Sequence, residues 1–201
     1  MKTINIDRQI NEINELLTSY VQTIYENKNN DEYYHKLEFN TNQLIDHKNY
    51  TKFINNYGEL IPIFKDPNEI QENHCLYWFE LDNEKVAEDL KKELDAYRIQ
   101  KLKKVPATNT NDNSNVLYVG IRQGGYTKSK NLTNITGRIC QHLGYYENNS
   151  TQGLQLYEYA RNKNYKITIK VIEFKRFEYS AYLNIFEKLI AEKLKPLCGR
   201  H

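Results

Sequence analysis

The sequence predicts an α+β fold, in which three short strands stand among helices behind a helical N-terminal extension. Three observations lead there. Segments 74–81, 116–121 and 165–174 are short, apolar or alternating, and rich in β-branched and aromatic residues. The stretches around them carry apolar residues at helical spacing. A boundary with two prolines, ELIPIFKDPNE, divides an acidic first part from a basic second one: residues 1–74 hold 7 Lys and Arg against 12 Asp and Glu, and residues 75–201 hold 21 against 14. The expected organisation is a helical extension over 1–73 and a main domain over 74–201, with a helix and linker over 83–115 inserted between the first two strands.

Taken in order, residues 4–27 place Ile6, Ile10, Ile13, Leu16, Leu17, Tyr20, Val21 and Ile24 at helical spacing, as in an amphipathic helix. Residues 33–57 are mixed and read as partly helical. HCLYWFEL at 74–81 suits a buried strand, and residues 83–104 are strong helix formers with a stripe of Val86, Leu90, Leu94 and Tyr97. VPATNTNDNSN is a polar linker before the second strand, VLYVGI. Leu132, Ile135, Ile139 and Leu143 predict a helix over 131–146, and another is expected across 151–163. YKITIKVIEF alternates as a third strand, and residues 179–196 form a last helix that Pro196 stops.

Composition excludes several classes. No run approaches the about 18 apolar residues of a membrane span. The start, MKTINIDRQINEI, has no signal-peptide pattern. The three cysteines, Cys75, Cys140 and Cys198, are far apart and form no CxxC, which fits reduced thiols in a cytoplasm. The basic second part suits a polyanionic partner. The stretch VLYVGIRQGGYTKS has the glycine spacing of a phosphate-binding P-loop at Gly120 and Gly125. A P-loop lysine directly follows its second glycine to reach the phosphates, whereas here Tyr126 and Thr127 intervene before Lys128.

A different constellation carries chemistry. Tyr77 ends Cys75-Leu76-Tyr77 in the first strand, and Tyr118 opens Tyr118-Val119-Gly120 in the second. Arg138 and His142 lie four residues apart on the next helix, hence on one face. Glu187 borders the apolar stripe of the last helix, where a carboxylate is suited to a metal. Taken singly, each has a bland reading: core tyrosines, a surface arginine, a packing histidine and a solvated glutamate. Their joint order is what points to a site.

In that order the residues resemble the GIY-YIG nuclease family over about 74–201, most closely its restriction-endonuclease branch through the Arg-x-x-x-His spacing. Cys75-Leu76-Tyr77 stands for the first motif without its glycine, and Tyr118-Val119-Gly120 for the second. Gly199 stands where the family commonly has an asparagine, in a segment that turns back toward the active site. The resemblance implies a three-stranded antiparallel sheet flanked by helices and a metal-dependent DNA endonuclease. It implies Tyr77, Tyr118, Arg138, His142 and Glu187 as catalytic residues, and Mg²⁺ or Mn²⁺ on Glu187. Double-stranded DNA is the expected partner, a homodimer suits cutting of both strands, and a restriction or phage-defence role follows. Arg122, Lys128, Lys130 and Arg200 are expected phosphate contacts. Two alternatives stand beside this: a nucleic-acid-binding protein that keeps the fold without cleavage, and a helical interaction protein.

Tyrosine is a poor base at pH 7 with its ordinary pKa near ~10 unless nearby positive charge lowers it, a charge that Arg138 and the metal could supply. Gly120 is expected to let the chain turn beside the site, where a side chain would crowd it.

Overall fold

The structure, a computed structural model, describes residues 6–44, 73–100, 105–124, 135–145, 152–174, 180 and 182–200. The protein is α+β, with one antiparallel sheet of four strands rather than the expected three. The elements are α1 (Ile6–Glu26), β1 (His35–Asn40), β2 (His74–Leu81), α2 (Glu84–Gln100), β3 (Val116–Arg122), α3 (Ile135–Leu143), α4 (Leu156–Ala160), β4 (Lys166–Phe174) and α5 (Leu183–Leu194). Strand order is β1-β4-β2-β3, and every neighbour is antiparallel.

The additional strand is β1, inside a region that the sequence reading gave partly to helix. Leu37 and Phe39 alternate into the core while Lys36 and Glu38 face out, so a six-residue edge strand forms against β4. The segment expected as helix over 151–163 is helical only at Leu156–Ala160. The strand and long-helix expectations fall within a few residues of β2, β3, β4, α1, α2 and α5.

Alternation along β2 builds two cores. Cys75, Tyr77, Phe79 and Leu81 face one core with Leu90 and Leu94 of α2 and Ile139 and Leu143 of α3. Leu76 and Trp78 face the other, with Val21 and Ile24 of α1 and Phe186 and Ile190 of α5. Both faces of the central strand are therefore covered, which is why HCLYWFEL lacks a polar face. On the second face Lys170 pairs with Glu80 at 2.7 Å and donates to the Lys28 carbonyl, while Trp78 Nε1 donates to Glu80 at 2.9 Å. This polar knot fastens the end of α1 to the sheet. Only that end of α1 packs: Val21 and Ile24 are buried, whereas Ile10, Ile13 and Leu16 are exposed.

Asn83 caps α2 by accepting from the Val86 amide at 3.0 Å. The polar segment after α2 is held on both sides. Thr108 donates to Asp95 at 2.8 Å, and the side chains of Asn109 and Asn111 donate to the Pro196 carbonyl at 3.1 and 2.8 Å. α5 ends at Lys195 in the left-handed region, and the chain turns back along β3. There the Leu197 and Cys198 amides donate to the Val116 and Leu117 carbonyls, both at 2.9 Å. The last segment, expected to turn back toward the active site, runs beside β3, the strand that carries Tyr118. All three cysteines are buried and free. Among the described residues no helix is long and apolar enough to cross a membrane.

Candidate active site

The site forms where β2 and β3 pair under α3. Tyr77 lies opposite Gly120 in the antiparallel register, so its ring crosses the backbone of β3. A Cβ at Gly120 would sit 2.6 Å from the Tyr77 hydroxyl and 2.7 Å from Cε1 of Tyr118. A side chain at Gly120 would crowd the site, as expected, but the chain does not turn there. Gly120 lies inside β3 and makes the room in which two tyrosine rings meet.

α3 is seated by Ile135, Ile139, Cys140 and Leu143, all buried. That seat aims Arg138, Gln141 and His142 at the two tyrosines. Arg138 Nε donates to the Tyr77 oxygen at 3.0 Å, one terminal nitrogen donates to the Tyr118 oxygen at 3.2 Å, and the other to Oε1 of Gln141. One guanidinium thus joins oxygens from two neighbouring strands through its planar fork. Three of its five N–H groups are engaged in this way, and each terminal nitrogen keeps one more. His142 Nε2 lies 3.0 Å from the Tyr77 oxygen, and its Nδ1 accepts from the Leu154 amide at 3.2 Å. The His142 ring also lies 4.6 Å, centroid to centroid, from the Tyr118 ring and 5.0 Å from Phe79.

The electrostatics follow from burial. Tyr77 is fully buried, and desolvation raises its hydroxyl pKa against the opposing charge of Arg138. Tyr118 is raised as well, first by burial and then by Tyr77. Arg138 acts on both tyrosines in the expected downward direction, but burial outweighs its charge. Burial and Arg138 together hold His142 well below the usual histidine range, so its ring is neutral at pH 7.

Two further residues act on the cluster through space. Glu187, half-buried on α5, raises both tyrosines by its charge. Arg122, at the end of β3, is lowered by burial and then by Arg138, and it favours Tyr77 ionisation. Arg200 is exposed two residues past Cys198, which bridges to Tyr118. Lys128 and Lys130 lie outside the described residues. Among the described residues no group of three or more His, Cys, Asp or Glu is placed to hold a metal ion. Glu187 is a carboxylate whose charge reaches both tyrosines, and one carboxylate with waters is a donor set that Mg²⁺ accepts.

Three contributors were not singled out from the sequence. Gln141 holds Arg138, and its position three residues on along the same helix is the local signal for it. Gly153 packs on Gln141, where a Cβ would sit 2.5 Å from the Gln141 carbonyl oxygen. Gln155, in the left-handed region, donates from Nε2 to that same carbonyl at 3.0 Å.

Comparison with known protein-family models, curated proteins and solved structures gives no match to this chain.

Proposed function

We propose that the chain is a metal-dependent DNA endonuclease of the GIY-YIG type, cytoplasmic and of restriction or phage-defence kind. One observation carries the reading: the Arg138 fork joins Tyr77 and Tyr118 across β2 and β3, with His142 on the Tyr77 oxygen and the Glu187 charge acting on both rings. A packing role alone does not call for an arginine, a histidine and two tyrosine hydroxyls converging at one buried point, since each polar group must be satisfied there.

In the proposed reaction a water attacks phosphorus, and the bond from phosphorus to the leaving oxygen breaks. Tyr77 takes part as its phenolate, having first released its own proton to solvent; the water proton then passes to the phenolate oxygen, and the leaving oxygen takes a proton from solvent. The two terminal N–H groups of Arg138 that remain bind the non-bridging phosphate oxygens, where negative charge develops. Glu187 would hold the metal. A bound Mg²⁺ neutralises phosphate charge and acidifies a coordinated water. Arg122 and Arg200 contact the DNA backbone on either side of the strand end, together with Lys128 and Lys130. A two-fold dimer presents two such sites to the two strands.

The test is incubation of the protein with plasmid DNA and Mg²⁺, beside Glu187→Ala. Cleavage by the wild type and its loss by at least ~100-fold in the variant supports the reading. Discrete fragments identify a restriction-type enzyme, and a smear a nonspecific one. DNA binding at low salt with no cleavage by either protein replaces the enzyme with a binding module. No affinity at all removes both and leaves the interaction protein.

A further inference from the structure

Neutral imidazole carries one proton, on either ring nitrogen. In His142 the choice is made by the backbone. The Leu154 amide points its N–H at Nδ1 from 3.2 Å, and an amide can only donate. Nδ1 is therefore the unprotonated nitrogen, and the single ring proton sits on Nε2, 3.0 Å from the Tyr77 oxygen. That oxygen already receives Arg138 Nε at 3.0 Å. Two N–H groups thus converge on one phenol oxygen, and the phenol's own proton has no acceptor among the described residues.

We propose that His142 is a proton-inert hydrogen-bond donor, locked in its Nε2–H tautomer by the Leu154 amide, that prepares the Tyr77 oxygen to carry negative charge. The proposal rests on the endonuclease reading for what that charge is used for, and on the geometry alone for the donor. It makes His142 a positioning residue for Tyr77 and removes it as a base toward water. Its Nε2 is already protonated, and its Nδ1 is covered by the backbone.

The lock is built by a short segment that the catalytic motifs do not include. Gly153 comes so close to α3 that a Cβ there would lie 2.5 Å from the Gln141 carbonyl oxygen. That approach brings the next residue, Leu154, to His142. Gln155 then fixes the segment by donating to the same carbonyl at 3.0 Å. The groups facing the ring are Tyr77 from β2, Tyr118 from β3 and Arg138 from α3, while residues 153–155 offer it a backbone amide. Arg138 opposes any second proton on the ring.

The decisive measurement is nitrogen NMR of the histidine side chains in wild-type protein with ¹⁵N-labelled histidine, from pH 5 to 9, with the His142 signals assigned by their loss in His142→Gln. The expected result is an Nε2–H tautomer that does not titrate in this range. An Nδ1–H tautomer, or a titration in this range, overturns the proposal. Gly153→Ala is expected to push the segment off α3 and to let His142 exchange tautomers or titrate. An unchanged His142 signal in a folded Gly153→Ala protein overturns the lock.

Cleavage kinetics supply the second arm. The side-chain amide of glutamine reaches about as far as Nε2 and can donate there, whereas asparagine stops short. His142→Gln is expected within about threefold of wild type with an unshifted pH profile. His142→Asn and His142→Ala lose about 100-fold, as for removal of one donor from a developing anion, and the rise of their rate with pH moves to higher pH. Equal collapse of Gln, Asn and Ala variants overturns the donor role. If wild-type protein cleaves nothing, the endonuclease reading fails, and the NMR arm still decides the tautomer.

Discussion

Gly120→Ala perturbs a place where the fold gives up a side chain for the site. The added Cβ would lie 2.6 Å from the Tyr77 hydroxyl, 2.8 Å from its Cζ and 2.7 Å from Cε1 of Tyr118. Ordinary non-bonded contact begins near ~3.5 Å, so the rings must retreat by about 0.8 Å. They have little room, because Tyr77 is fully buried and its ring meets Phe79, Tyr118 and His142. A retreat of that size stretches the 3.0 Å bonds from Arg138 and toward His142 beyond useful length. Overpacking of this kind costs about 1–3 kcal/mol. In a chain of this size that lowers Tm by roughly 2–12 °C, at about 2–4 °C per kcal/mol. Cleavage should fall about 100-fold, the usual effect of a misplacement near ~1 Å in the reacting group.

The cleanest assay is a double-mutant cycle read by chemical denaturation. Tyr77→Phe removes the hydroxyl that meets the Cβ most closely, so Gly120→Ala should be milder in that background by about 1 kcal/mol. Additivity within about 0.5 kcal/mol would mean that the Tyr77 hydroxyl does not occupy the space over Gly120. Wild-type stability and cleavage in Gly120→Ala would refute the close approach altogether.

Three further outcomes are expected. Arg138→Lys keeps one charge but loses the fork onto Tyr77 and Tyr118, so plasmid cleavage should drop at least ~100-fold and urea unfolding should register about 1–3 kcal/mol of lost stability. The single-turnover rate should climb with pH from 6 to 9, because the acceptor must be deprotonated and burial holds Tyr77 above its ordinary value; a rate that is flat across this range contradicts tyrosine as the acceptor. Lys170→Met leaves Glu80 with the Trp78 indole but without its cation in the second core and should cost about 3–5 kcal/mol in denaturant titration, with kcat kept at temperatures where the variant is folded, since this pair lies across the sheet from Tyr77.

The strands and helices that carry the site were legible because each is patterned by what it buries. HCLYWFEL is covered on both faces and reads as a continuous apolar run, and α2 and α5 show a stripe every three to four residues. Strand β1 was not legible for the same physical reason. It lies at an edge, buries only two of its six residues deeply, and spends Lys36 and Glu38 on solvent-side ion pairs. Six residues with two buried positions give too short an alternation to stand out from the mixed sequence around them. The stripe on α1 had the converse fate: the pattern gave the helix, yet Ile10, Ile13 and Leu16 remain exposed, because amphipathicity marks a face without naming what packs on it.

The site divides along the same line. Arg138 and His142 were legible together because a helix fixes their relation locally, and Gln141 could have been added on that ground. The partners that set their chemistry are tertiary. Whether Tyr77 is raised or lowered depends on how deeply β2 lies under α3, and burial reverses the direction that the Arg138 charge alone suggests. The role of His142 turns on a backbone amide from beyond α3, a donor present in nearly every residue and visible in none. Side-chain identities therefore announce which groups meet. Which of them gives a proton and which receives one is decided by desolvation and main-chain geometry, and here both assign His142 to donate and leave Tyr77 to accept.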